Sequence, residues 1–221
     1  MTNKGEEEFA IIGLGRFGLS AGLALVQRGC HVLGIDSDTV LVQRYADELT
    51  YTVALDATDE QALRAAEITS FDTVIVAIGT NFEASVLTTV TLKGMGVRRV
   101  ICKALTNQQA EVLRRVGADR VILPEEEAGQ RLALELSLPR LLDQMVMAPG
   151  YTVAEVQLPD RLDGNTLAKS ELREQYNVMV LAIRSGSANT VAPPPDFVLH
   201  RGDVLVILGP DQAILQLSQG Q

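Results

Sequence analysis

Directly behind the apolar run FAII at 9–12 the sequence reads GLGRFG, which places glycines at 13, 15 and 18. Few local features restrict a fold as much. A strand ending in GxGxxG turns sharply at the first glycine, lets the backbone approach a ligand closely at the second, and packs its following helix tightly at the third. That is the entry to a doubly wound α/β domain, and the rest of the first half agrees with it. Strand-like apolar runs recur at 31–35, 51–55, 73–78, 99–104 and 120–124, separated by helical patterns near 16–28, 38–48, 59–66, 81–93, 107–115 and 126–137. These runs are almost continuously apolar, as strands covered on both faces must be, and Leu41, Tyr45 and Leu49 keep helical i,i+4 spacing. The expectation is a Rossmann-like parallel sheet over 1–137.

The rhythm then changes. Leu138, Leu141, Leu142, Met145 and Val146 fall on one helical stripe, which predicts a helix over 138–150 acting as a core helix, a linker, or a crossing to a partner subunit. Beyond it, YTVAEVQLP alternates like a half-buried strand, LAKSELREQY suggests a short helix, and VMVLAIRSG, FVLHRGDVLVILG and the closing DQAILQL complete a small α+β lobe over 151–221. A lobe of 71 residues is marginal by itself, so docking or dimerisation is expected.

Charge and composition exclude several classes. With 28 acidic against 19 basic side chains, a net charge of −9 works against nucleic acid as a partner. No apolar run approaches the length of a membrane span and the amino terminus shows no signal-peptide pattern, so a cytoplasmic chain is expected. Cys30 and Cys102 lack metal-ligand spacing and read as free thiols.

The candidate site gathers where strands end. A second strand finishes at Asp36, eighteen residues after Gly18, where a carboxylate accepts hydrogen bonds from two ribose hydroxyls and repels a 2′-phosphate. That disfavours NADP and leaves NAD and adenine nucleotides open. Arg16 inside the loop either meets a phosphate or faces solvent. Asp56, in ALDATD, either reaches the base and ribose side of the crevice or caps the next helix with Thr58 and Asp59. Gly79 and Asn81 follow the fourth strand at the carboxyl edge of the sheet, where ligands of open α/β folds bind. Lys103 and the triplet Glu125, Glu126, Glu127 end the fifth and sixth strands. The acids either complement a helix dipole or, at Glu125, help hold a hard cation such as Mg²⁺. Dehydrogenase chemistry lacks a well-placed acid or base: His31 begins the second strand and His200 lies in the distant HRGD turn. Lysine, tyrosine or aspartate still leave an NAD-dependent oxidoreductase as an alternative.

Taken together, IIGLGRFG, Asp36 in GIDSD, DATD at 56–59, IGTNFEAS at 78–85, ICKA at 101–104 and GADRVILPE at 117–125 resemble the RCK family of cytosolic regulators of potassium conductance. The resemblance is to the Ktr/Trk-type regulatory subunits, and to the single-copy Ktr type because one glycine loop is present. It implies a regulator without enzymatic activity, with ATP or ADP, and in Trk-type members NAD or NADH, in the glycine crevice. It implies that Gly13, Gly15, Arg16, Phe17 and Gly18 form the phosphate loop, that Asp36 binds ribose, and that Asp56 with Ala57, Gly79 and Asn81 lines the crevice. Glu125 becomes an intersubunit acid answering to cation and nucleotide, with Lys103 near it, and 138–150 becomes a crossover helix. The implied partners are a membrane-embedded potassium transport subunit and further copies of this chain, homodimers in an octameric ring at the inner face of the membrane. The C-terminal lobe of some relatives takes cyclic di-AMP. A NAD(H)-responsive redox regulator remains the alternative within the same fold.

Overall fold

The computed structural model describes residues 7–138 and 140–219, which divide into two compact units at Glu127/Ala128. In the first unit β1 (Glu8–Ile12) leads through the glycine loop into α1 (Arg16–Val26), and β2 (His31–Asp36) into α2 (Thr39–Arg44). β3 (Tyr51–Ala54) and α3 (Glu60–Ala65) follow, then β4 (Thr73–Val76) and α4 (Phe82–Gly94). β5 (Val100–Lys103), α5 (Asn107–Arg115) and β6 (Arg120–Ile122) complete the alternation. The six strands are parallel in the order β3-β2-β1-β4-β5-β6. Strand order therefore reverses between β1 and β4, which opens a crevice beyond their carboxyl ends.

Burial explains why these strands read as continuous apolar runs. Ala10 and Ile12 of β1 belong to one core, with Ile35, Leu63, Val74 and Val76, while the intervening Ile11 belongs to another, with Leu14, Val32, Val42 and Leu49. Successive side chains point to opposite faces, and helices cover both. Each fully buried Ile or Leu contributes about 1.5–3 kcal/mol over an exposed one. α2 is shorter than its sequence pattern: it ends at Arg44, and Leu49 is buried from the following turn instead of from the helix. The starts of α2 to α5 are capped by side chains. Asp38 accepts from the Val40 amide at 2.8 Å, Asp59 from Gln61 at 2.8 Å, Asn81 from Ala84 at 3.0 Å and Thr106 from Gln109 at 3.2 Å. These caps satisfy amides that a helix leaves without partners.

α6 (Pro124–Ser137) carries the chain across the division. The second unit holds β7 (Leu141–Ala148), β8 (Tyr151–Gln157), α7 (Leu172–Tyr176), β9 (Met179–Ser185), β10 (Ala188–Val191), β11 (Val204–Pro210) and α8 (Asp211–Gln219). Its antiparallel sheet runs β10-β9-β11-β8-β7 over a core of Val156, Ile183, Leu205, Ile207, Ile214 and Leu217. This is the small α+β lobe expected.

One expectation fails. The stretch 138–150 is not a crossover helix: Leu141–Ala148 is an edge strand paired antiparallel with β8, and the helix lies before it, as α6. Ladder hydrogen bonds to β8 outweigh a helical stripe whose members, apart from Leu138 and Leu141, stay largely exposed. The turn that makes this hairpin is Pro149-Gly150, with Gly150 at φ +81°. Proline followed by a glycine of positive φ is the signature of a type II turn. Among the described residues no helix is long and apolar enough to cross a membrane.

Candidate functional site

A cleft of about 1150 Å³ opens over the carboxyl ends of the parallel strands in the first unit. This is at or just above the upper end of the roughly 300–1,000 Å³ typical of small-molecule sites. Its floor is the glycine loop. Gly13 sits at φ +100°, donates its amide to the Ile35 carbonyl at 2.7 Å, and has the backbone of Ala77 and Ile78 3.0–3.1 Å from where a Cβ would project. Gly18 packs closer still: a Cβ there would lie 1.9 Å from the Gly13 carbonyl oxygen. Gly18 does not line the cleft; its work is to bring α1 onto the loop.

Gly15 differs from both. It is the cap residue of α1 at φ −68°, with no side-chain hydrogen bond to the helix start and nothing within 4 Å of a Cβ position. Of α1 to α5, α1 is therefore the helix whose first turn no side chain caps. Its start faces the cleft, so its amides and the positive end of its dipole are available to an anion there. Arg16 and Phe17 line the same space.

Asp36 ends β2 at the rim. One carboxylate oxygen accepts from the Leu14 amide at 2.7 Å and the other from the Asp38 amide at 2.9 Å. The acid thus braces the loop while keeping further lone pairs for a donor in the cleft. Across the cleft, Asp56 accepts from the amide and hydroxyl of Thr58 at 2.9 and 2.7 Å, and these bonds hold its carboxyl below the usual value. Asp59, not Asp56, caps α3. Ala57 is buried, and its carbonyl accepts from the Thr88 hydroxyl of α4 at 3.2 Å. Gly79 and Asn81 line the cleft, and the Asn81 side chain also caps α4.

The far end is charged. The Lys103 ammonium lies 2.8 Å from a Glu125 carboxylate oxygen and 5.8 Å from the Phe17 ring centroid, and its side chain is only 11% exposed against 65% for Glu125. The hydrogen bonds from Lys103 and from its own backbone amide hold the Glu125 carboxyl below its ordinary value, with the charges of Lys103 and Arg16 adding to the effect. Among the described residues no three His, Cys, Asp or Glu side chains gather to hold a metal.

Eleven of the twelve sequence-predicted positions thus share one cleft, and Gly18 supports it from below. Thr58 and Thr88 are among the lining residues that the sequence reading did not assign to the site. The signal for Thr88 was helical spacing: Ala84 and Thr88, four apart, lie on one face of α4 in line with its cap Asn81, and all three line the site. Cys102 is buried against Thr89, with Sγ 3.2 Å from the hydroxyl, and burial pushes its thiol up, as expected of a structural cysteine.

Comparison with known proteins agrees with this architecture. Residues 9–124 match the TrkA-N domain and 150–219 the TrkA-C domain. The chain is 37% identical over 204 residues to Ktr system potassium uptake protein C of Bacillus subtilis, covering 92% of both chains. It is 33% identical over 210 residues to Ktr system potassium uptake protein A of Vibrio alginolyticus, covering 95% of this chain and 96% of that one. Among solved structures, the GsuK RCK domain superposes with a TM-score of 0.56 at 24% identity over 98% of this chain and 46% of the other, which shows the shared fold.

Proposed function

We infer the function from one premise: the chain belongs to the RCK family, as a Ktr-type potassium uptake regulatory subunit. On that footing it is a cytosolic subunit that binds a nucleotide in the glycine cleft and regulates a membrane-embedded potassium transporter, without turning the nucleotide over. The observation that carries the nucleotide reading is the uncapped start of α1 facing a cleft that ends at Asp36. Diphosphate oxygens take the places that side-chain caps fill on α2 to α5, and Asp36 accepts from the ribose hydroxyls.

ATP and ADP differ by one phosphate, and the groups placed to sense that difference are Arg16, Lys103 and Glu125 at the charged end. A γ-phosphate there competes with Glu125 for Lys103 and attracts a cation such as Mg²⁺ to the freed carboxylate. Pairs of first units, assembled as homodimers in an octameric ring at the inner membrane face, then adopt different separations with the two nucleotides. Moving such an equilibrium from 1:99 to 99:1 takes about 5.5 kcal/mol of differential binding. The second unit serves assembly, with cyclic di-AMP as the ligand to try there.

A second reading has its own support, because GsuK, which shares the fold, has been solved bound to NAD. In that case the same cleft reports redox state. Calorimetric titration of nucleotide-free protein with ATP, ADP, NAD and NADH, repeated on Asp36→Ala, separates the two. Binding of ATP and ADP that weakens about tenfold or more in the variant, roughly 1.4 kcal/mol, supports the adenine-nucleotide regulator. Binding confined to NAD and NADH moves the reading to a redox regulator, and binding of none of the four refutes both.

A further inference from the structure

The second unit holds a separate cleft of about 370 Å³, lined by Arg140, Gln157, Leu158, Asp160, Arg201 and Gly202. Three stretches of chain converge on it: the segment entering β7, the end of β8 with the turn after it, and the turn before β11. Two guanidinium groups meet one carboxylate here. Arg140 Nη2 donates to Asp160 Oδ2 at 3.0 Å, and Arg201 Nε lies 3.2 Å from Asp160 Oδ1.

We propose that this cleft is an anion site for a small phosphate monoester, held by Arg140 and Arg201, with the Asp160 carboxylate acting as an internal stand-in for the ligand. Three observations support it. First, the lining carries two positive side chains and one negative in a chain whose net charge is −9, and the neighbouring Asp163 and Asp203 carboxylates are engaged by backbone amides of the same turn. Second, each guanidinium offers five N–H donors in a planar fork, and its contact with Asp160 engages one nitrogen of each fork. Third, the backbone beneath them is fastened independently of Asp160. The Gln157 amide donates to the Arg140 carbonyl at 2.8 Å, and the Arg201 amide to Asp163 at 2.8 Å. Asp203, 3% exposed, locks the turn by accepting from the His200 amide at 2.8 Å and the Ser185 hydroxyl at 2.6 Å.

The Asp160 side chain is 58% exposed and that of Arg201 78%, and ion pairs so open to water are weak and exchange readily. A phosphate monoester brings a charge of about −1.5 to −2 and three acceptor oxygens against the single charge of Asp160. The ligand therefore displaces the carboxylate or shares the forks with it. This site is independent of the glycine cleft and of the nucleotide assigned to that cleft.

The test is titration of the full chain at low ionic strength, where screening is weakest. The probes are inorganic phosphate and ribose 5-phosphate, with acetate as a monoanionic control, on wild type, Arg201→Gln, Arg140→Gln/Arg201→Gln and Asp160→Asn. Thermal midpoints confirm that each variant folds. The expected result is saturable binding of the phosphates but not acetate, weakened about tenfold or more in both arginine variants and tightened several-fold in Asp160→Asn. Tighter binding of ribose 5-phosphate than of phosphate assigns the ligand to an organic monoester; equal affinity assigns it to the free ion. Phosphate held in the glycine cleft would survive both arginine substitutions unchanged. That result, no saturable binding to wild type, or weaker binding to Asp160→Asn, overturns the proposal.

Discussion

Gly15 and Gly18 do different work, and exchanging each for alanine should separate folding from binding. In Gly18→Ala the added methyl group falls 1.9 Å from the Gly13 carbonyl oxygen and 3.0 Å from the Ala77 Cβ. Neither neighbour has room to retreat, because the Gly13 amide is bonded to Ile35 and the Ala77 amide to Ile12, both at 2.7 Å. The helix must lift, and overpacking of this kind costs about 1–3 kcal/mol or more. In a chain this long each kcal/mol lowers the melting temperature by about 2–4 °C. In Gly15→Ala the methyl group enters open space at an ordinary φ. Reduced freedom of the unfolded chain stabilises by about 0.4–1 kcal/mol, and alanine at a cap position costs a similar amount, so the net change is near zero. The same methyl group stands where a diphosphate approaches the backbone, so nucleotide affinity should fall about tenfold or more, roughly 1.4 kcal/mol. Urea unfolding and calorimetric titration of both variants make the check. If Gly15→Ala binds ATP, ADP, NAD and NADH as tightly as wild type, no phosphate rests on this loop and the argument from the uncapped helix fails.

Leu63→Ala, at a fully buried position in the larger core of the first unit, should cost about 2–5 kcal/mol by urea unfolding while its nucleotide affinity at low denaturant stays unchanged. Gly150→Ala forces a left-handed backbone on an L side chain at the β7–β8 turn and should destabilise by about 1–2 kcal/mol, read from the loss of the second unit's hydrogen-exchange protection. Asp119 tests the acid side: burial raises its carboxyl, but the Val100 amide at 2.7 Å and the Lys93 ammonium at 3.0 Å outweigh it and hold the group below 3.8. A carboxyl depressed in the folded state stabilises above its unfolded value and loses that contribution as pH falls through the folded one. Wild type should therefore lose more stability than Asp119→Asn between about pH 5 and pH 2, and equal losses would contradict the assignment.

The parallel sheet was legible because its physics is local. Strands buried on both faces must be apolar throughout, and helices between them announce their starts with Asp38, Asp59, Asn81 and Thr106. The cleft followed, since a doubly wound sheet places every βα turn on one edge. What was not legible depended on pairing between elements or on faces that carry no apolar pattern. Val146 and Met145 repeat at helical spacing with Leu142, yet their backbone conformation is decided by β8, which lies beyond the turn. The Pro149-Gly150 dipeptide was the local cue to that hairpin and outranked the stripe. β10 was missed because Ala188–Val191 exposes most of its side chains and has no core face to read. The contact of Thr88 with Ala57 joins residues 31 apart and has no local pattern of its own.

Asp36 holds the loop through Leu14 and Asp38 whether or not anything occupies the cleft. A descendant that gave up its ligand would still need that brace, so the acid would be retained by selection for shape after selection for binding had ended. Its presence in a relative then testifies to an intact loop first and to a bound molecule only second. A lost ligand should instead be read from a side chain at the position of Gly15, where the fold tolerates change and the ligand does not.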